Sequence, residues 1–548
     1  MTTVIIPSAK IVPEELQHLG KLPAVIYPVN EGIVFDYLYQ QYSHECKKIK
    51  IVCFENVDKV KRRIAKYDNS LIEITTLTEI RDLGHTIYNG ISDEDKEIII
   101  NFGDTIVMES LQKLSSDSFY YSEDYRSDKW TYFEESNGKL VEIYDKTAHE
   151  NGENEKSKLF VGVFRLSDAQ LFKVFLKEGS VEKHDKLSTF YRALQLYSQH
   201  HRLNPLFTDN WFDIGHEDRY YNSTLEVKAR DFNHISIDKN RGILRKSSDD
   251  IDKFIGEIKW YLKLPADIEY IRPRIFDYDV SYSSPYVTME YYAYHTVHEL
   301  FLYGDLTRKQ WIDIFSRIQF VCNDLRRYSV DDKSIPNALE DMYLTKTLQR
   351  FKTISDDKRF KLFFKKGIKV NEMRYKSLDE VSEILKESVP KLLYDVKKFN
   401  IIHGDLCFSN IMVDNNFSFI KVIDPRGKFG KFDIYGDPRY ELAKLFHSVD
   451  GKYDFIIKDL FTVNFDLEDC RIDYNINDRT REYDLYSIFI DVFKEAIGDD
   501  LQKIELIESL LFLSMVPLHG ESIQHQMVML ATGLDILNRV VDITEEEK

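Results

Sequence analysis

Short continuous apolar runs recur through the first third of the chain. They are Val4 to Pro7, Lys50 to Phe54, Glu97 to Asn101 and Leu159 to Leu166. Each is bounded by polar residues or glycine, which predicts buried strands. Ile33 to Tyr42 carries helical spacing between the first two. Strands alternating with helices predict a parallel, Rossmann-like α/β sheet with ligands at the carboxyl ends of its strands. Further on, Phe232 to Asp238 and Ile243 to Ser248 flank Lys239-Asn240-Arg241-Gly242 and read as a hairpin. Ile251, Phe254, Ile255, Ile258 and Tyr261 then follow a helical spacing, with Ser248 and Asp249 as caps. The pattern is mainly helical from Glu299 to about Lys398 and again from Leu501 to Val541, where Pro517-Leu518-His519-Gly520 reads as a helix–helix turn.

No Pro/Gly/Ser-rich linker divides the chain, and Ser223 to Arg230 reads as helix. The change in pattern sets domains of about 1–228 and 229–548, the second with a small lobe of about 229–295 and a large lobe of about 296–548.

The segment His403-Gly404-Asp405-Leu406-Cys407-Phe408-Ser409-Asn410, followed by Ile423-Asp424-Pro425-Arg426-Gly427, sets two carboxylates and an amide on adjacent short strands. Phosphoryl transfer needs such a set: one acid near an acceptor hydroxyl, and further oxygen donors for the Mg²⁺ that bridges ATP phosphates. The pattern resembles the aminoglycoside phosphotransferase and choline kinase branch of the kinase-like fold, in which HGD replaces HRD and IDxxG replaces DFG. The resemblance implies Asp405 orienting or deprotonating the hydroxyl, with Asn410 and Asp424 on Mg²⁺. His403 completes the catalytic loop by orienting its backbone. It also implies a strand lysine, Lys246, paired with Glu257 on the following helix. Tyr286 to Tyr292 resembles the hinge strand, where the backbone near Met289 and Tyr291 would meet adenine. There is no GxGxxG loop. Asp437, in Gly436-Asp437-Pro438-Arg439, is expected to stabilise the catalytic loop. No APE-like segment follows Asp424, so the acceptor is expected to be a small hydroxylated molecule and not a protein.

In the first half, Phe102-Gly103-Asp104-Thr105 follows a strand, Gly162 sits in another, and Trp211-Phe212-Asp213-Ile214-Gly215-His216 precedes Tyr220-Tyr221. Acids directly after apolar strands are costly unless paired or liganded. This order resembles the sugar-nucleotide pyrophosphorylases and related nucleotidyltransferases. It implies a GT-A-like fold in which Asp104 and Asp213 hold Mg²⁺ between an NTP and a phosphomonoester. Trp211 is expected to anchor the core. The loop after the first strand, Pro7-Ser8-Ala9-Lys10-Ile11-Val12-Pro13, departs from that family because it lacks the phosphate-cradling glycines. Lys10 or Lys21 is the candidate for the triphosphate.

The expected fold is therefore an α/β N-terminal Rossmann-like (GT-A-like nucleotidyltransferase) domain plus an α+β bilobal kinase-like C-terminal domain. At 548 residues the chain is too long for one core, and its 43% hydrophobic content suits packed domains. A net charge of −18 disfavours nucleic acid as a partner. No apolar run reaches the length of a membrane span, and the start lacks a signal-type core, so no membrane insertion is expected. The five cysteines show no CxxC spacing, which fits reduced thiols in a cytoplasmic protein.

These readings together predict a bifunctional enzyme. It would phosphorylate a small alcohol, sugar or amino alcohol with ATP, then activate the phosphate with CTP or another NTP for surface-glycan or capsule synthesis, with Mg²⁺ at both sites. A kinase with an inactive scaffold domain and a non-catalytic nucleotide-binding regulator are the alternatives. The sequence leaves oligomeric state open.

Overall fold

In the computed structural model, residues 2–30, 32–125, 128–146, 156–179, 187–216, 220, 233–478 and 483–545 are described. The chain divides into two compact units, Met1–Glu226 with Tyr303–Asp305, and Val227–Leu302 with Leu306–Lys548. The helix expected over 223–230, Tyr221, Phe232 and the boundary at about 228 lie outside the described residues.

In the first unit, β1 (Thr3–Ser8), β2 (Lys48–Cys53), β3 (Ile72–Thr76) and β4 (Ile98–Asn101) alternate with α1 (Val34–Tyr42), α2 (Val57–Ile64) and α3 (Leu83–Gly90). The short strand β5 (Thr105–Val107) follows. β6 (Ser118–Tyr125), β7 (Thr131–Ser136), β8 (Lys139–Asp145) and β9 (Lys156–Leu166) come next. α4 (Ala169–Gly179), α5 (Thr189–His200), β10 (Asn204–Phe207) and β11 (Trp211–Asp213) complete the unit. The sheet runs β8-β7-β9-β4-β1-β2-β3, with β6 pairing β9 and β10 pairing β6. β4, β1, β2 and β3 are mutually parallel, whereas β9 is antiparallel to β4. The sheet is thus mixed where the pattern predicted a parallel one, because hairpin strands were appended beyond β4. Val4, Ile5 and Ile6 have no exposed surface, which is why β1 reads as an unbroken apolar run. Winding proceeds from β1 outward to β3, then returns to the other side of β1 at β4. The carboxyl ends of β1 and β4 therefore flank a topological switch point, where open α/β sheets bind ligands.

In the second unit, β12 (Asn233–Asp238) and β13 (Ile243–Ser248) form the expected hairpin, and α6 (Ile251–Lys263) follows. With β14 (Ile275–Asp279) and β15 (Tyr286–Glu290) they make an antiparallel sheet of order β12-β13-β15-β14. The N-cap of α6 is Asp250, not Ser248 or Asp249; the Ser248 hydroxyl accepts the Asp250 N–H at 3.3 Å one step earlier.

The remaining elements begin with α7 (Arg308–Arg326), α8 (Lys346–Ser355), β16 (Ile368–Val370), β17 (Met373–Tyr375) and α9 (Leu378–Leu393). The β16–β17 hairpin interrupts the stretch read as helical; turning at Asn371, which has a positive φ, it joins a four-stranded sheet. β18 (Phe399–Ile401), β19 (Ile411–Val413) and β20 (Ile420–Val422) frame the HGD segment. α10 (Pro438–Val449), α11 (Leu485–Ile497), α12 (Leu501–Met515) and α13 (Ile523–Val540) supply most of the remaining core. Among the described residues no helix is long and apolar enough to cross a membrane. All five cysteines are buried and free.

Candidate active sites

β4 delivers Asp104 to the switch point. Asn101, fully buried at the end of that strand, donates its amide N–H to Phe102 O (2.8 Å) and Thr105 O (2.9 Å), while its oxygen accepts the Tyr42 hydroxyl (2.7 Å). These bonds fix the turn carrying Asp104. Gly103 lies against β1, where a Cβ would sit 2.9 Å from Pro7 O. Gly162 (φ +101) lets β9 pass close to Phe102, whose N–H it accepts at 3.0 Å.

β11 pairs with β5 in a register that sets Asp213 opposite Thr105, and Ile214 N–H donates to Asp104 O at 2.7 Å. Asp104 and Asp213 consequently converge. A Cβ added to Gly215 would lie 2.8 Å from Asp104 Oδ2 and 3.1 Å from Asp213 Oδ1. Burial, then the neighbouring Asp213, pushes the Asp104 carboxyl up to about 6. His216 Nδ1 sits 2.6 Å from Asp213 Oδ2; that bond raises the imidazole above its ordinary value. The Trp130 ring covers both His216 and Trp211, and Trp211 is buried. Two converging carboxylates, with Asp104 held above its ordinary value partly by the charge of Asp213, fit a divalent cation, whose charge would relieve the repulsion. Lys10 begins two residues past the end of β1 and is exposed, as is Lys21; among the described residues neither side chain is held by a hydrogen bond or ion pair.

In the second unit, Lys246 on β13 is buried and bridges two acids. Its Nζ lies 2.9 and 3.0 Å from the Glu257 carboxylate oxygens and 2.7 Å from Asp424 Oδ1. Burial pulls the ammonium down, but Glu257 and Asp424 outweigh it and raise Lys246 overall. Burial, with Asp424 adding repulsion, pushes Glu257 up to about 7. Glycines allow this convergence: Gly427 (φ +64) packs on α6 so tightly that a Cβ would fall 2.1 Å from Gly256 O. Asp424 itself has φ +56 and donates its N–H to the Tyr261 hydroxyl at 3.0 Å.

His403 is fully buried. Its Nδ1 accepts the Asp405 N–H (3.3 Å), its Nε2 lies 2.9 Å from Ile423 O, and burial lowers it to about 4. A neutral, enclosed imidazole tying Asp405 to the strand before Asp424 orients the loop. Asn410 donates to Asp405 O at 2.8 Å and leans towards Asp405 Oδ2 at 3.4 Å. Lys444 Nζ is 2.8 Å from Asp405 Oδ1; burial pushes that carboxyl up, but Lys444 prevails and holds it well below the usual range. Asn410 and Asp424 carry oxygens of the hard kind that Mg²⁺ takes.

The expected loop-stabilising role of Asp437 goes instead to Glu441. Asp437 is consumed locally: it caps α10 and accepts from Arg439 and the Tyr343 hydroxyl. The Glu441 carboxylate, one turn on and buried, accepts the N–H groups of His403 and Gly404, both at 2.8 Å. Glu441 and Lys444 were missed because a helix pattern reports a face and not its distant partners; charges set inside the apolar run Tyr440–Leu445 were the available signal. On the strand expected to be the hinge, Met289 is buried on β15, and Tyr291 spends its N–H on Gly242 O at 2.8 Å, so that donor is already used within the protein.

No protein-family model and no curated protein sequence matches the chain. Solved nucleotidyltransferases align with its N-terminal region and solved phosphotransferases with its C-terminal half. HddC from Yersinia pseudotuberculosis is 18% identical over 42% of this chain and 100% of its own, with a TM-score of 0.32. The CTP:phosphocholine cytidylyltransferase LicC from Streptococcus pneumoniae is 10% identical over 40% of this chain and 97% of its own, with a TM-score of 0.33. The aminoglycoside phosphotransferase APH(4)-Ia is 11% identical over 57% of this chain and 92% of its own, with a TM-score of 0.36.

Proposed function

We propose that the chain carries two transferase centres acting in sequence on one small molecule. The second unit phosphorylates an alcohol with ATP, and the first joins the resulting phosphomonoester to a nucleotide. The observation that carries this reading is the Lys246 bridge between Glu257 and Asp424, set beside the Asp405–Asn410 loop. Lys246 would release Asp424 to the cation and hold the ATP phosphates. Mg²⁺, held by Asn410 and Asp424, would neutralise charge on the phosphate oxygens. Asp405, kept ionised by Lys444, orients the acceptor hydroxyl and receives its proton as the new O–P bond forms and the bond to ADP breaks.

In the first unit, Asp104 and Asp213 would hold the cation beside the α-phosphate of an NTP. The phosphomonoester oxygen attacks that phosphorus, and pyrophosphate leaves. Five buried thiols suit a reducing, cytoplasmic setting, and an activated phosphodiester suits assembly of surface glycans such as capsule. The test is to supply ATP with CTP or GTP and a panel of alcohols, sugars and amino alcohols, following ADP and pyrophosphate separately. ADP without pyrophosphate for every combination rejects the two-step reading.

One observation favours a second reading, a kinase with a binding-only first unit. The loop after β1 offers no glycine before Gly20, and Lys10 and Lys21 stand exposed. Asp104→Ala separates the two readings: pyrophosphate release is lost with ADP formation intact if both centres work.

A further inference from the structure

The chain is strongly acidic, with a net charge of −18, yet cations crowd one place in the second unit. Arg426, in the IDxxG segment, donates from Nη1 to the Tyr440 hydroxyl at 3.1 Å. Its N–H donates to His403 O at 2.9 Å, and its side chain lies against Gly404, where a Cβ would meet Arg426 Cβ at 3.0 Å. Arg426 is thus fixed to the HGD loop at backbone level. Tyr440 and Lys444 stand four residues apart on α10, which puts the phenol beside the ammonium that holds Asp405. Lys346 and Arg350, also four apart, stand on the first turns of α8, just after Tyr343, whose ring packs against that of Tyr440 with centroids 6.3 Å apart. A π-helical segment, Glu340–Thr345, leads directly into Lys346; such segments re-aim side chains and concentrate at functional sites.

Arg426, Lys346 and Arg350 are all half-buried, and among the described residues none has a carboxylate within ion-pair distance. Elsewhere in this chain Lys50, Lys246, Arg439 and Lys444 are each paired with an acid. The electrostatics agree. Burial raises the Tyr440 phenol, but Arg426, Lys346 and Lys444 hold it below its ordinary value. Tyr440 raises Lys346, yet burial, Arg426, Lys444 and Arg350 bring that ammonium below its own. Unneutralised like charges brought together cost free energy, which an anionic ligand would offset.

We infer that Arg426, Lys346 and Arg350 form an anion subsite for a carboxylate or phosphate group on the acceptor, beside the hydroxyl that Asp405 orients. The inference rests on the kinase reading and narrows it, from alcohols in general to those bearing a negative group. Amino alcohols and cationic sugars would meet repulsion there. Arginine supplies a fork for two oxygens, and the lysine a point charge.

The test uses the full-length protein with Mg²⁺ and a non-hydrolysable ATP analogue, titrated calorimetrically with glycerol, glycerate and glycerol 3-phosphate. The anionic probes should bind at least tenfold more tightly than glycerol, and the gap should narrow as salt is raised. The double variant Lys346→Gln/Arg350→Gln should abolish the preference while leaving affinity for the ATP analogue within twofold; Lys346→Arg should retain it. Equal binding of all three probes overturns the inference, as does a double variant that weakens the ATP analogue instead. ADP formation from neutral alcohols with no anionic preference rejects the subsite and keeps the kinase. Anion binding that the double variant removes, with no ADP from any alcohol, upholds the anion site and rejects the kinase reading beneath its acceptor role.

Discussion

Lys444 Nζ lies 2.8 Å from Asp405 Oδ1, one α10 turn beyond the Glu441 carboxylate that fixes the same loop. The pair sets the charge of the candidate base. Burial alone would favour the protonated acid, and Lys444 reverses that preference.

Replacing that lysine gives the first prediction. In Lys444→Met the Asp405 carboxyl should titrate higher by roughly one to three pH units. Because the base must be ionised, the acidic limb of the kcat profile for ADP formation should move upward by that amount. A profile that keeps its limb while its height falls would assign Lys444 to something other than the charge on Asp405.

Glu441→Gln tests the backbone anchor. Glutamine offers one acceptor where two N–H groups need it, and its own NH₂ faces the other. A buried donor left unpaired costs about 1–3 kcal/mol. The variant should fold, unfold at lower urea, and form ADP roughly tenfold or more slowly. Unchanged turnover would show that the His403–Gly404 backbone needs no such restraint.

Asp104 supplies a pH prediction. Its folded-state value of about 6 lies above the ordinary 3.8, so folding takes up its proton and the associated stability is present below pH 4. That contribution is lost as the pH rises through 6. In metal-free protein at pH 8, Asp104→Asn should therefore stabilise the first unit, by about 1–3 kcal/mol, and at pH 4 it should change little. Thermal melts at both pH values check this. Millimolar Mg²⁺ should reverse the order at pH 8 by stabilising the parent protein alone.

Gly162→Ala probes the support beneath Asp104. The residue has φ +101, and its new Cβ would lie 2.8 Å from the Phe102 ring. Strain and crowding together should cost about 2–4 kcal/mol. Pyrophosphate release should fail before ADP formation does. Equal loss of both activities would contradict a defect confined to the first unit.

The hydropathy pattern revealed β1, β2, β4 and the β12–β13 hairpin because each is a local run with one burial pattern. The Lys246–Glu257 pair comes from the kinase resemblance and not from hydropathy, and the structure brings the two side chains together. What escaped the pattern was non-local. Glu441 is 37 residues from the Gly404 N–H it accepts, and Arg426, in the loop after β20, acts on Lys346 of α8, far away in the sequence. The β16–β17 hairpin was lost inside a helical stretch because three-residue strands are shorter than any periodicity can register. Asn101 read only as the end of a strand, although its amide organises the turn that presents Asp104.

The contact of Gly427 with the backbone at Gly256 has a kinetic consequence. The helix carrying Glu257 and the segment carrying Asp424 touch main chain to main chain, with no side chain between them to bend or rotate. Moving either one apart from the other would leave a gap that no side chain is placed to fill. Displacing that helix alone would therefore have to open this main-chain contact as well as the Lys246–Glu257 ion pair.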